Sequence, residues 1–432
     1  MANIRIGDLF ELEKGSLQSS KCTEGEFNFI TASKDWKTHN EFSHDKEALI
    51  FAAMASGSLG RTHYVNGQFI TSDLCYILIP KDSEKYPMDL KFYHFVFNSL
   101  KEEIVKNTKS GTSKEAINQT NLRNHEIPYF DIKQQHLWIE KLLNTKTIKE
   151  YLVLEIENQQ TLLKKLRQSI LQEAIEGKLT ASWREQNPDV ESASILLEKI
   201  KTEKEQLIKD KKIKKQKPLP LISEDEMPFD IPDNWKCCRL QNTSNNIHYG
   251  FNASAKPEKL DVRMLRITDI QNNSVNWNTV PGCDYTQKDL RSYSLSNNDI
   301  LIARTGGTIG KSYIVKNISV VSLFASYLIR VIPNSKLNAD FLKLFIESPS
   351  YWTQLYEAAW GAGQPNVNGT SLSKLILALP PLEEQKEIVK KIESLFKACD
   401  ELETQINNSK TNSQTLMQAV LKEAFEMENK DV

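Results

Sequence analysis

Toward the C-terminal end, apolar residues recur at alternating steps of four and three. Ile388, Ile392, Leu395, Cys399, Leu402 and Ile406 are followed by the polar pair Ser409 and Ser413, then by Leu416 and Val420. That spacing is the seam of a coiled-coil helix, and such a helix needs a second apolar stripe to cover it. Pro380 and Pro381 precede it. Proline cannot sit inside a helix and biases the residue before it away from helical angles, so the helix is expected to begin directly after the pair.

The second stripe lies in the same chain. A shift of 250 residues lays QSILQEAIE, Gln168 to Glu176, over QAVLKEAFE, Gln418 to Glu426. It also sets Leu142, Leu152, Ile156, Leu166 and Ile170 against Ile392, Leu402, Ile406, Leu416 and Val420, with polar Gln159 against Ser409. Upstream, the same shift maps Phe51 to Val65 onto Leu301 to Val315, placing Gly57, Gly60 and Arg61 on Gly307, Gly310 and Lys311. GTSKEAIN from Gly111 likewise falls on GAGQPNVN from Gly361. The chain therefore reads as a duplicated unit, a globular part followed by a long helix.

Four segments then resemble a known family. PLEEQKEIVKKIE from Pro381, GKLTASWREQNPDVE from Gly177, PFDIPDNWK from Pro228 and GQPNVN from Gly363 look like signatures of the specificity subunit (S, HsdS) of type I restriction-modification systems. With the duplication, the resemblance covers nearly the whole chain. It implies an α+β fold: two mixed α/β target recognition domains separated by an antiparallel coiled coil of two long helices, with an internal pseudo-twofold repeat. The expected boundaries are residues 1–134 for the first recognition domain and 135–217 for the central long helix and the basic helix after it. A proline-containing linker follows at 218–233, then the second recognition domain at 234–381 and the distal long helix, pairing with the central one, at 382–432.

The resemblance also implies a role. Each domain would read one half of a bipartite, asymmetric target in double-stranded DNA, the helix pair setting the gap of unread bases between the halves. Two modification (M) subunits would bind against the helices and methylate an adenine in each half, and restriction (R) subunits would join to cleave unmodified DNA. S-adenosylmethionine, ATP and magnesium then belong to those partners, with no cofactor in this chain, and the setting is the cytoplasm of a bacterium or archaeon.

Taken in order, the residues fill in this plan. ALIFAAM from Ala48 and YILIP from Tyr76 read as strands with Gly57, Gly60 and Gly67 between them, and Asp89 to Lys106 reads as one helix. The first long helix is expected from about Gln135 to Glu176, capped by Gly177. Ser192 leads a further helix that ends in a lysine run, with 9 lysines against 3 acids from Lys199 to Lys217. That run is either a solvated helix end and linker or a phosphate or partner contact. In the second globular part, strands are expected in VRMLRIT from Val262, DILIAR from Asp299, KSYIVK from Lys311 and SYLIRVI from Ser326, with a helix over Phe341 to Ser348.

Composition narrows the classes. With 432 residues, 26% charged and 40% hydrophobic, the chain is an ordinary globular protein of two or three domains. The 55 basic and 56 acidic residues nearly cancel, but residues 234–381 carry 15 Lys/Arg against 9 Asp/Glu, while residues 1–130 carry 15 against 17. The second part is thus the more basic and the better suited to a polyanion. Six cysteines without CxxC spacing read as reduced thiols, and neither a signal peptide nor a membrane span is expected.

TGGTIGKS from Thr305 imitates a phosphate-binding loop, but the required first glycine is Thr305 and the other copy has Ala55 and Arg61 in place of Thr305 and Lys311. A glycine-rich turn between two strands fits better. It is either purely structural or a place where backbone N–H groups and a cation approach DNA. The candidate DNA contacts are Ser58, Arg61 and Thr62 at the first such turn and Lys109, Thr112 and Lys114 at the loop after it. Their counterparts are Arg304, Thr308, Lys311 and Ser312, then Gln364 and Asn366, amides being suited to adenine. Asn118 and Asn368 match in both copies, which fits a structural cap; a reading residue should differ between copies, as Lys114 and Gln364 do. Tyr351, Trp352, Tyr356 and Trp360 are expected to pack as core.

No catalytic or metal residues are expected. The sole Asn-Pro lies in QNPDV and cannot serve as an NPPY-type methyltransferase motif, and neither HExxH nor GxSxG occurs. The competing readings are a specificity chain of a type IIB-like defence enzyme, a nucleotide-hydrolysing enzyme built on Lys311, and a non-enzymatic coiled-coil tether.

Overall fold

The computed structural model describes residues 2–54, 57–110, 115–258, 261–359 and 367–427. Thr112, Lys114, Trp360, Gln364 and Asn366 lie outside them. The chain divides into two compact units, Met1–Gln159 with Gln405–Val432, and Gln160–Thr404.

In the first unit, an antiparallel sheet runs Phe10–Lys14, Cys75–Pro80, Ala48–Ala52, Thr62–Val65. Ala48–Ala52 is buried on both faces. Leu49 and Phe51 join a cluster with Phe92, Tyr93 and Phe97, while Ala48, Ile50 and Ala52 join another with Ile30 and Phe69. That is why the segment reads as an unbroken apolar run rather than an alternating one. A second sheet, Lys37–His39, Phe27–Ile30, Gln68–Thr71, His44–Asp45, contains a parallel central pair. Ala2–Arg5 pairs with Glu126–Tyr129 at the junction with the long helix.

The single helix expected over Asp89 to Lys106 is two, Leu90–Ser99 and Lys101–Thr108, with a bend at Leu100. Both halves keep apolar spacings of three and four, so periodicity cannot see the bend. The bend lets Ile104 join the core that already holds Val96.

The second unit repeats the plan. Its main sheet is Ser244–Tyr249, Leu328–Pro333, Ile300–Ala303, Ser312–Ile314, and its second is Ala255–Lys256, Gly282–Cys283, Arg263–Leu265, Ser322–Phe324, again with one parallel pair. Lys236–Arg239 pairs with Ile376–Leu379. The ladders correct the sequence shift. Ala303 lies opposite Leu328 as Ala52 lies opposite Cys75, so Ala52 matches Ala303, one residue off the uniform shift, because the first glycine loop is one residue longer.

The long helices are Ile132–Ile175 and Leu382–Met427. The second begins directly after the prolines. The first begins three residues before Gln135 because Asp131 caps it: its carboxylate accepts from the Lys133 and Gln134 N–H groups, and the Asp131 N–H donates to the Gln134 side chain. Gly177 follows the helix at φ 77°, with the Lys178 N–H donating to the Glu173 carbonyl, as a left-handed cap requires.

Each long helix is keyed to its domain by a fully buried glutamine. Gln135 accepts from the Asp89 N–H (2.7 Å) and donates to the Pro87 and Phe130 carbonyls, and Gln385 accepts from the Asn338 N–H (2.9 Å) and donates to Pro380. Asp89 and Asn338 are themselves the caps of helices Leu90–Ser99 and Ala339–Glu347, so one amide ties two helix starts together in both units.

Within the second unit the helices pair antiparallel. Arg167 bonds Asp400 (2.6 Å) and Glu403 (3.2 Å), whereas Lys391 reaches back to the Leu179 carbonyl (3.2 Å). In the first unit Lys141 bonds Glu423 (2.9 Å). Only part of the expected seam is closed. Ile388, Ile392, Cys399 and Ile406 are buried, as are Leu142, Ile156, Leu163 and Ile170, but Leu395, Leu402, Leu152 and Leu166 stay 37–45% exposed. Two helices close one flank of a heptad seam and leave the other open.

Candidate nucleic-acid interface

Both glycine turns join antiparallel strands. Gly60 (φ 75°) and Gly310 (φ 79°) are left-handed, and a Cβ at either would fall within 2.7 Å of side chains in the adjoining helix, Val105 or Leu355. The N–H of Gly60 donates to Ala52 as that of Gly310 does to Ala303. A strand, not a helix N-terminus, follows Lys311, so the segment lacks the architecture of a phosphate loop.

The two turns use their predicted residues differently. Arg61 turns inward, donating to the Ala32 carbonyl (2.9 Å) and the Ser58 hydroxyl (3.2 Å). Thr62 is buried, its hydroxyl donating to the Gly60 carbonyl and its backbone clasped by the Asn98 side chain. These groups build the turn rather than face outward. In the second unit Lys311 is exposed, on the rim of an open cleft of about 810 Å³ walled by Thr308, Ser312 and Trp352 and, from the helix pair, by Arg167 and Phe396. The Ser312 hydroxyl is buried with no hydrogen-bond partner among the described residues. Tyr351 is fully buried and donates to the Gly310 carbonyl (2.9 Å), so it is core, whereas Tyr356 is 45% exposed.

At the second pair of loops, Lys109 is exposed and bonds Glu115 (2.9 Å). Asn118 accepts from the Thr120 and Asn121 N–H groups, and Asn368 from that of Ser371, so the matched asparagines are helix caps. Arg304 sits where the loops meet: its N–H donates to the Tyr327 carbonyl (3.0 Å), its carbonyl accepts from the Val367 N–H (3.2 Å), and its guanidinium lies over the Tyr249 ring (4.8 Å). Tyr249 and Tyr327 were not legible as site residues, because no local spacing joins them to Arg304.

Behind the first turn, His63 and His94 are held below their ordinary pKa, in both cases chiefly by burial. Burial, with the nearby Lys146 and His63 charges, brings His94 down to about 4. A neutral His94 therefore stabilises the first unit above the unfolded value of 6.5, and that stability is lost as pH falls toward 4. Between pH 7 and 4 the wild type should lose about 3 kcal/mol more than His94→Leu in denaturation experiments; equal losses in the two proteins would contradict it.

Three of the segments that carry the family resemblance meet at one buried carboxylate in the second unit. Glu384, fully buried, accepts from the Thr180 hydroxyl (2.7 Å), from Arg184 Nε and Nη2 (3.1 and 2.8 Å) and from Trp235 Nε1 (2.8 Å). Arg184 also donates to the Gly177 carbonyl (2.6 Å).

Fold and site together define a class: a duplicated α+β protein, in which one domain plan occurs twice and each copy carries its own surface loops. The family described as type I restriction modification DNA specificity domain matches residues 1–169 and 237–409, and the chain belongs to it. It is 29% identical over 264 residues to the type I restriction enzyme EcoEI specificity subunit of Escherichia coli, covering 59% of this chain and 44% of that one. To the EcoAI specificity subunit of Escherichia coli it is 33% identical over 261 residues, covering 59% and 43%. The aligned region thus spans less than half the length of these two curated relatives. Among solved structures, the HsdS subunit of Thermoanaerobacter tengcongensis shares the fold, with a TM-score of 0.53 and 16% identity, covering 98% of this chain and 96% of that one.

Proposed function

We propose that this chain is the DNA-addressing subunit of a type I restriction-modification assembly in the cytoplasm of a bacterium or archaeon. It recognises a bipartite, asymmetric duplex target, one half through each unit, and carries modification and restriction subunits to it. The observation that carries this reading is a backbone repeated in both units whose exposed loop residues differ. A fold of that kind reads two short sequences of different composition, which a single domain or an exact duplicate would not.

Docking of partner subunits is supported by the first long helix. Leu137, Ile148 and Tyr151 lie close to one line on its surface and are 54–77% exposed, a second apolar face besides the one that covers the other helix. Catalysis, with S-adenosylmethionine, ATP and magnesium, belongs to the partners, since the chain holds no methyltransferase tetrapeptide and no intact phosphate loop. Mapping methylation in cells that carry this chain with its modification subunit tests the proposal: a single two-part motif is expected, and methylation without sequence preference would overturn it. The purified chain alone should neither methylate nor cut DNA.

A further inference from the structure

Matching the two units by ladder register rather than residue number brings out three places where one backbone carries different chemistry. Tyr249 lies opposite Ile329 at the end of its strand, as Lys14 lies opposite Tyr76. A glycine follows each; a Cβ on Gly250 would lie 2.2 Å from the Ala325 oxygen, and one on Gly15 would lie 2.1 Å from that of Ser72. Ala53 makes the same two backbone bonds as Arg304, its N–H donating to Leu74 (3.0 Å) and its carbonyl accepting from Ile117 (2.8 Å). Tyr249, Arg304 and Tyr327 therefore occupy the places of Lys14, Ala53 and Leu74. The shared backbone bonds show that the fold does not demand the difference.

Given the DNA-addressing reading above, on which this step rests, we infer that Tyr249, Arg304 and Tyr327 form the base-reading element of the second unit, with Arg304 reading the guanine of a G·C pair. The planar guanidinium fork matches O6 and N7 of guanine in the major groove, a pairing that neither the alanine nor the leucine of the first unit can make. Tyr249 supports the fork: its ring underlies the guanidinium at 4.8 Å, and its hydroxyl accepts from the Gly369 N–H (3.1 Å). Tyr327 is 65% exposed on a backbone held by the Arg304 N–H and by the Leu328 N–H donating to Ala325 (2.9 Å). An exposed aromatic on so constrained a turn loses little entropy on contact, and it contributes nothing to the core. The surrounding residues 234–381 are the more basic of the two globular parts, with 15 Lys/Arg against 9 Asp/Glu.

Full-length wild type, Arg304→Ala and Arg304→Lys, each with the modification subunits, should be compared by methylation rate on duplexes carrying each of the four base pairs at every target position. At one position of one half-site, the preference for G·C is expected to fall about 10- to 100-fold in both variants while every other position keeps its preference. Lysine fails here because it keeps the charge and loses the fork. If Arg304→Lys behaves as wild type, or if both variants slow methylation equally on all sequences, Arg304 holds a phosphate and the inference is overturned. An unchanged preference in Arg304→Ala also overturns it, as does a wild-type target with no G·C-specific position in one half. A wild type without any two-part preference would instead bring down the addressing reading itself. Unchanged melting temperatures of both variants separate these outcomes from misfolding.

Discussion

Arg184→Ala is expected to lower the unfolding free energy of the second unit by about 3–5 kcal/mol, the cost of removing one partner from a buried ion pair. Glu384 has no exposure to solvent, and the Arg184 side chain is only 21% exposed. Without the arginine, the carboxylate keeps two neutral donors, from Thr180 and Trp235, and no countercharge among the described residues. The arginine also bonds the carbonyl of Gly177, the residue that ends the first helix, so its loss frees the segment that follows. Arg184→Ala with Glu384→Gln should recover much of the loss, since the neutral amide no longer needs a cation. Urea denaturation of the full chain measures both. A single variant within about 1 kcal/mol of wild type would show that the carboxylate finds water or another partner.

Arg330→Met should cost a similar amount, about 3–5 kcal/mol. The pair is nearly dry: Arg330 Nη2 donates to Asp299 at 2.6 Å with side chains 8% and 3% exposed, and the Ser296 N–H donates to the same oxygen at 2.6 Å. Burial pushes the Asp299 carboxyl above its usual range, and Arg330 opposes that rise. Removing the arginine raises it further, and a carboxyl raised by folding is most stable while protonated. The deficit should therefore be smallest at acid pH and grow as pH rises through the folded pKa. The first unit supplies the control. Ladder register places Ala48 and Ile77, both in an apolar cluster, where the second unit has Asp299 and Arg330. Asp299→Ala with Arg330→Ile should thus regain most of the stability lost by Arg330→Met, because well-packed apolar groups substitute for a buried pair at little cost. If the double variant is as unstable as the single one, the pair contributes through geometry that aliphatic packing cannot reproduce.

How far the site could be read ahead differs between its parts. Identity between copies favours a structural cap at Asn118 and Asn368, and the structure shows both accepting from the next turn. Arg61 and Lys311 looked equivalent, yet one points into its own domain and the other stands on a cleft rim, because Arg61 is met by the Ala32 carbonyl, 29 positions away. Glu384 stands in a first helical turn, an ordinary place for an acid. Its burial depends on Thr180 and Trp235, 204 and 149 positions distant, and no local pattern contains that.

Periodicity and self-similarity determined the long helices, the proline entry of the second, the glycine stop of the first and the duplication, because those are set by interactions within a few residues or repeated along the chain. Tertiary structure alone decided which seam leucines remain open, which predicted polar residues face inward, and that Arg304 shares a surface with Tyr249 and Tyr327. Burial and side-chain pairing follow from groups that meet only after the sheets close, and one added residue in a loop is enough to shift which side chains correspond.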